Sequence, residues 1–318
     1  MSSLSFQQDR KPQEKNSGAK TSEPFASHAE LNKERKVIGR KRKEVIRNKF
    51  FYAKSGAARQ QSQPFPSKWE NQIICADSYD ILSALPDNCV DLIFTSPPYN
   101  FGLDYRDDGK EDAVNWPLYF DRLFQILNQC ERVLVHGGRL VINVQPLFSD
   151  YIPTHHIIGH HLMSRNMIWK GEIVWEKNNY NCKYTAWGSW KSPASPYLKY
   201  SWEFVEVFCK GSLKKDGIKK NIDINGEEFK KWVYGKWSIA PERRMKDYRH
   251  PAMFPEELAN RVLKLFSFKG DLVMDPFNGA GTSCVVAART GRRYCGVDIA
   301  QDYCDVAQKR IAELQMEF

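Results

Sequence analysis

Two short strings in this chain of 318 residues combine residue types that could do chemistry together. The first is Thr95-Ser96-Pro97-Pro98-Tyr99-Asn100, which follows an apolar run. Paired prolines fix φ and stiffen the backbone, so such a loop is shaped before any ligand arrives. Its main-chain carbonyls have no helical use and can serve as acceptors. Ser96 adds a hydroxyl, and Tyr99 adds a flat ring with a polar edge. That set suits a planar heterocycle carrying an amino group, held through its N–H bonds and stacked on the aromatic. The same residues could instead form a proline-rich turn that packs Tyr99 into a core.

The second string is Asp275-Pro276-Phe277-Asn278-Gly279-Ala280-Gly281-Thr282, placed after a strand-like run and opening a helix-like one. Gly279 and Gly281 permit turns closed to other residues and let main chain approach a ligand closely. A strand-to-helix turn at the carboxyl edge of a parallel sheet is where such folds bind ligands. One strand later, Gly296-Val297-Asp298 sets a carboxylate 23 residues beyond Asp275, a spacing suited to ribose hydroxyls. The string lacks the third glycine of G-x-G-x-x-G, so an ordinary tight turn with a capping Asp is its plainer use.

The elements that must position these strings are legible from apolar patterning. Strands are expected at 72–76, 90–94, 139–144, 170–176, 203–209, 271–274 and 293–297. Helices are expected at 78–85, 115–134, 152–163, 256–266, 282–289 and 303–314. Pro97 and Pro98 should stop the second strand, since proline donates nothing to a ladder. Gly137-Gly138 is expected to break the chain after the 115–134 helix. Strands alternating with helices predict an α/β fold, a doubly wound and mostly parallel Rossmann-like sheet. Four regions follow: a basic, largely disordered arm (1–66), a half carrying Ser96 (67–180), an aromatic and lysine-rich insertion (181–245), and a half carrying the glycine string (246–318).

Taken together, the two strings resemble the motifs of the DNA amino-methyltransferases, which make N4-methylcytosine or N6-methyladenine. Ser96-Pro97-Pro98-Tyr99 is similar to the family's catalytic motif, and Asp275 through Thr282 to its S-adenosylmethionine motif. The catalytic motif comes first here, an order that resembles the permuted β group, with the target-recognition region between the two. The resemblance implies that Asp77 contacts the adenine ring of the cofactor and Asp298 its ribose. It implies that His250-Pro251 through Phe254-Pro255-Glu256-Glu257 line the methionine end, beside Phe277, Gly279 and Gly281. Trp175-Glu176-Lys177-Asn178 would lie near the flipped base. The implied reaction is direct transfer, with Ser96 and the Pro97 carbonyl holding the amino hydrogens of a base stacked on Tyr99. In this family a leading Ser accompanies cytosine N4 more often than adenine N6, so Ser96 favours cytosine.

Charge agrees with a polyanionic partner. Eleven basic residues against two acids between Leu31 and Gln60 account for the whole net charge of +9, with Arg40-Lys41-Arg42-Lys43 at their centre. Such an arm grips phosphate with little sequence reading of its own, although a solvated tail or a localisation signal has the same composition. At the start of the insertion and just before it, Lys177, Lys183, Lys191 and Lys199 interleave with aromatics, a pattern expected of a DNA-facing surface. The expected partner is therefore double-stranded DNA, with a homodimer and a cognate restriction endonuclease left open. A cytoplasmic, nucleoid-associated place is expected, with no membrane span. The eight cysteines form no CxxC pair, and His156 and His160 lack companions at ligand spacing, so no metal is expected. Two other classes stay in view. An RNA or protein-amide methyltransferase would carry a similar loop, usually with Asn leading it and the cofactor motif first. A non-catalytic nucleic-acid-binding module would keep the fold alone, against which the intact Ser96, Tyr99, Gly279, Gly281 and Asp298 speak.

Overall fold

The structure is a computed structural model and describes residues 59–100, 114–145, 151–178, 187–198, 200–243, 248 and 252–316. Most of the expected basic arm, with Arg40, Lys41, Arg42 and Lys43, lies outside the described residues, as do Lys183, Lys199 and His250-Pro251.

Eight strands form one sheet in the order β1-β8-β7-β2-β3-β5-β4-β6. These are β1 (Gln72–Cys75), β2 (Val90–Thr95), β3 (Leu134–Val144), β4 (Ile168–Glu176), β5 (Trp202–Cys209), β6 (Lys236–Ser238), β7 (Leu272–Asp275) and β8 (Arg293–Asp298). Every neighbouring pair is parallel except the two made by β5, which runs against both β3 and β4. Helices cover both faces: α1 (Ser78–Ala84), α2 (Trp116–Val133), α3 (Thr154–Ser164), α4 (Gly226–Trp232), α5 (Glu256–Phe266), α6 (Thr282–Arg289) and α7 (Gln301–Met316). The sheet is mostly parallel and doubly wound, as expected.

β2 shows why the centre holds. Val90 and Ile93 enter a core shared with Leu82 of α1, Leu127 of α2 and Ile158 of α3. Leu92 and Phe94 enter the opposite core, with Leu258 and Val262 of α5, Cys284 of α6 and Ala307 of α7. A strand buried on both faces reads as an unbroken apolar run, which Leu92-Ile93-Phe94 is. Burying each such side chain contributes roughly 1.5–3 kcal/mol.

One expectation is corrected. Gly137-Gly138 does not break the chain, because β3 starts at Leu134 directly after α2 and runs through both glycines. The register against β2 shifts there, with Val90 opposite Leu134 but Leu92 opposite Arg139, so the glycines form a bulge. Gly137 has φ +79°, and a Cβ there would lie 2.5 Å from the Lys214 carbonyl oxygen. The insertion, moreover, contributes to the sheet. The expected strand at 203–209 is β5, wedged between β3 and β4, and the unforeseen β6 pairs in parallel with β4. The unforeseen α4 has a capping box, with Asn225 accepting from the Glu227 and Glu228 amides and Glu228 accepting from the Asn225 amide. Among the described residues, no helix is long and apolar enough to cross a membrane.

Candidate active site

β2 and β7 are neighbours, with Leu92 opposite Val273 and Ile93 opposite Met274, so Thr95 and Asp275 finish side by side. The Thr95 hydroxyl donates to Asp275 Oδ1 at 2.6 Å. The Ser283 hydroxyl donates to Asp275 Oδ2 at 2.7 Å, and the Phe277 amide to Oδ1 at 3.1 Å. Burial pushes the Asp275 carboxyl up to about 6, against the pull of its three donors. Asp275, expected among the cofactor ligands, is 1% exposed and has both oxygens engaged inside the protein. Its position makes it the fastener between the two strings, which meet at one edge of the sheet.

In the Ser96 loop, Pro97 and Pro98 carry the chain out of β2. The Pro98 carbonyl accepts from the Tyr119 hydroxyl of α2 at 2.6 Å. Asn100, at φ 56°, bonds both backbone groups of Val114, donating to its carbonyl at 2.9 Å and accepting from its amide at 2.7 Å. Tyr99 is 9% exposed, and its hydroxyl donates to Glu203 Oε2 at 2.9 Å. The Ser96 hydroxyl donates in turn to the Tyr99 oxygen at 3.1 Å, and the Asn143 amide donates to the same oxygen at 3.2 Å. Asn143 also donates to Glu203, and Lys177 pairs with that carboxylate. Lys177 therefore points inward: its ammonium meets Glu203 and lies 5.2 Å from the Trp175 ring centroid, instead of standing free toward DNA phosphate. Glu203 itself escaped the sequence reading. The available signal was an acid inside an apolar strand run, Trp202-Glu203-Phe204-Val205.

On the cofactor side, Gly279 (φ 47°) and Gly281 (φ 83°) turn the backbone between β7 and α6. Asp298, at the tip of β8, accepts from the Gly279 amide at 2.7 Å and the Ala300 amide at 2.9 Å. The Asn278 amide donates to the Val297 carbonyl at 3.0 Å, and the Ser78 hydroxyl bonds the Pro276 carbonyl. Arg310 of α7 donates to the Ala280 carbonyl and to Thr282 Oγ1. Cys75 of β1 lies opposite Asp298, so Asp77 and Asp298 occupy neighbouring strand ends. Asp77 caps α1 by accepting from the Tyr79 amide at 2.8 Å and pairs with Arg122. Phe254 is buried against Phe94, ring centroids 4.7 Å apart, while Phe277 stays half-buried at the loop.

These residues fit S-adenosylmethionine. Asp298 and Asp77 offer acceptors for the hydroxyls and amines of a nucleoside, and Gly279 and Gly281 let main chain come close. Asn278 Oδ1 is buried without a hydrogen-bond partner among the described residues. An acceptor left in that state at a binding loop is a feature that a ligand donor would resolve.

The remaining expected DNA contacts fall in the insertion. Gly188 and Pro196 form an antiparallel bridge, and the Tyr197 amide donates to the Trp187 carbonyl at 3.1 Å, closing a narrow loop. Trp187 and Trp190 are 56% and 63% exposed on it and meet edge to face at 5.3 Å. Lys191 holds its ammonium 5.5 Å from the Trp190 ring centroid. Elsewhere, His161 stacks on Phe124 and His155 on Phe204, as packed side chains do. No group of three His, Cys, Asp or Glu side chains among the described residues is placed to hold a metal.

Known proteins resemble this chain in sequence and in fold. The profile of the N6/N4 family described as DNA methylase matches residues 90–309. Type II methyltransferase M.BglII of Bacillus subtilis is 29% identical over 258 residues, covering 76% of this chain and 69% of that protein. DNA adenine methyltransferase YhdJ of Escherichia coli K12 is 28% identical over 262 residues, covering 77% and 85%. Among solved structures, TTHA0409 of Thermus thermophilus in complex with S-adenosyl-L-methionine superposes with a TM-score of 0.61 at 27% identity, covering 78% of this chain and 97% of that one. With the family profile spanning more than half of its length, the chain belongs to the N6/N4 DNA methylase family and is an S-adenosylmethionine-dependent DNA methyltransferase.

Proposed function

We propose that the chain methylates the exocyclic amino group of a base flipped out of double-stranded DNA, with cytosine N4 as the acceptor. The observation that carries this reading is the Thr95–Asp275 bond, which holds the Ser96 loop beside the glycine loop at one sheet edge. S-adenosylmethionine brings a methyl group already activated on its sulfonium. The chain has then to supply position. An exocyclic amine is a poor nucleophile because its lone pair delocalises into the ring. Ser96 Oγ and the Pro97 carbonyl would accept its hydrogens and favour a pyramidal nitrogen, while Pro98 and Tyr99 hold the base in the loop. Alignment of reacting groups of this kind is worth roughly 7–11 kcal/mol of barrier at best. On the cofactor side, Asp298 and Asp77 would take the nucleoside, with Gly279, Gly281, Phe277 and Phe254 around the rest. Pro276, Asp275 and Thr282 hold the turn in shape.

Cytosine N4 rests on Ser96 leading the motif. Adenine N6 is the second reading, favoured by the similarity to the adenine methyltransferase YhdJ. Trp187, Trp190 and Lys191 are proposed to face DNA, with the basic arm adding phosphate contacts. Double-stranded DNA is the proposed substrate, a homodimer is retained, and the Type II naming of M.BglII supports a cognate restriction endonuclease as partner. The test is mass spectrometry of nucleosides from DNA incubated with the full chain and isotope-labelled S-adenosylmethionine. Labelled N4-methylcytosine is expected. Labelled N6-methyladenine would replace the base assignment, and no labelled nucleoside would refute the proposal.

A further inference from the structure

Glu203 is 3% exposed and belongs to none of the motifs that point to methyl transfer. A carboxylate buried so deeply is costly unless charge and hydrogen bonds compensate it. Here three elements supply the compensation. The Tyr99 hydroxyl comes from the loop after β2, the Asn143 amide from β3, and the Lys177 ammonium from the end of β4. β5 carries Glu203 to them, since Trp175 lies opposite Glu203 and Asn143 opposite Val205.

The direction of these hydrogen bonds matters more than their number. An ionised carboxylate only accepts, so the Tyr99 hydroxyl spends its single proton on Glu203. Asn143 donates to the same Tyr99 oxygen. Ser96 accordingly donates its proton to Tyr99 at 3.1 Å. What Ser96 has left to offer outward is lone pairs, the form an amino group must meet.

We infer that Glu203 is a positioning residue that fixes the hydrogen-bond polarity of the base loop, making Ser96 an acceptor through Tyr99, with Lys177 as its internal counter-ion. The inference rests on the proposed reading of the Ser96 loop as the base site. Glu203→Gln tests it sharply. Lys177 has only donors, so the new amide oxygen must face it, and the new NH2 group then faces Tyr99. The Tyr99 proton loses its acceptor and turns toward Ser96, reversing the chain of donors.

The experiment measures single-turnover methyl transfer by the full chain, alongside equilibrium binding of S-adenosylmethionine and of a methylatable DNA duplex. Glu203→Gln is expected to slow transfer roughly tenfold or more, as loss of a charge-assisted hydrogen bond in a dry site does. Both affinities should stay within about twofold. Tyr99→Phe, which removes only a hydroxyl, should reproduce the slowing. Adding Glu203→Gln to Tyr99→Phe should then cost less than about twofold more, since both break one chain. A wild-type transfer rate in either single variant overturns the inference and leaves the methyltransferase reading standing. So do losses that multiply in the double variant, or a Glu203→Gln protein that melts earlier yet transfers normally per folded molecule. No labelled base from the wild-type chain would sink both readings at once.

Discussion

Asp275→Asn should stabilise the cofactor-free protein at pH 8 and not at pH 4. The Asp275 carboxyl is raised from 3.8 to about 6, chiefly by burial. The folded protein thus holds this proton more tightly than the unfolded chain does. The stability this lends is complete below the unfolded value near 3.8 and is lost as pH rises through about 6. Above that, the fold carries a buried charge. A raise of roughly two units at 1.36 kcal/mol each amounts to about 3 kcal/mol, a large share of a typical 5–15 kcal/mol. Asparagine fits the same place. Its oxygen keeps the Thr95 hydroxyl and the Phe277 amide, and its NH2 group donates to the Ser283 oxygen. Ser283 still donates to the Phe94 carbonyl, which it already meets at 3.1 Å. Urea unfolding followed by tryptophan fluorescence at pH 4, 6 and 8 reads the effect. The expected gain approaches about 3 kcal/mol at pH 8 and shrinks toward zero at the acid end. A variant less stable than wild type at pH 8, or a gain independent of pH, would show that burial does not govern this carboxyl.

Other sites give separate readings. A Cβ at Gly296 would lie 2.4 Å from Asn278 Oδ1, so Gly296→Ala should push the glycine loop out of shape and weaken S-adenosylmethionine binding at least tenfold by calorimetry. Arg292 grips Asp223 with two bonds, of 2.8 and 2.9 Å, and also bonds Ser267. Arg292→Met leaves that carboxylate unpaired and should cost about 3–5 kcal/mol in denaturant unfolding. Replacing Trp187 and Trp190 together with Ala should weaken binding of DNA with an unpaired target base by about 1–3 kcal/mol for each stacked base lost, with cofactor affinity unchanged. Deleting residues 1–60 should lower DNA affinity and flatten its dependence on salt, and an unaltered slope would assign the arm to something else.

Much of the frame was legible because local pattern and global fold agree along it. Val90–Phe94 reads as a strand, and the structure buries it on both faces. Asp275 through Thr282 reads as a strand-to-helix turn, and Gly279 and Gly281 both take positive φ there. The bulge at Gly137-Gly138 is hidden in the sequence because a glycine pair looks alike whether it ends an element or lets one bend past a neighbouring carbonyl. β6 was invisible for a different reason. Three residues, Lys236-Trp237-Ser238, have too short a period to register, and Trp237 is held by the core it enters. α4 announced itself through Asn225 and Glu228, a capping pair submerged in an aromatic stretch that drew attention to its rings.

The harder gap lies in polar groups, because residue type tells what a side chain can bond and not what it already bonds. Lys177 has the composition of a phosphate contact and serves as a counter-ion to Glu203. Asp275 has the place of a ligand and fastens two strands. Asp275 does so because β7 lies beside β2, and Lys177 for a different topological reason. The stretch that separates the two motifs in sequence returns as β5 between β3 and β4, so it brings a carboxylate to the Tyr99 hydroxyl of the loop after β2. The exposed loop with Trp187 and Trp190 leaves β4 past Lys177 and comes back through Trp202 and Glu203. The two ends of the proposed DNA-facing loop are thus the two partners of the ion pair behind Tyr99.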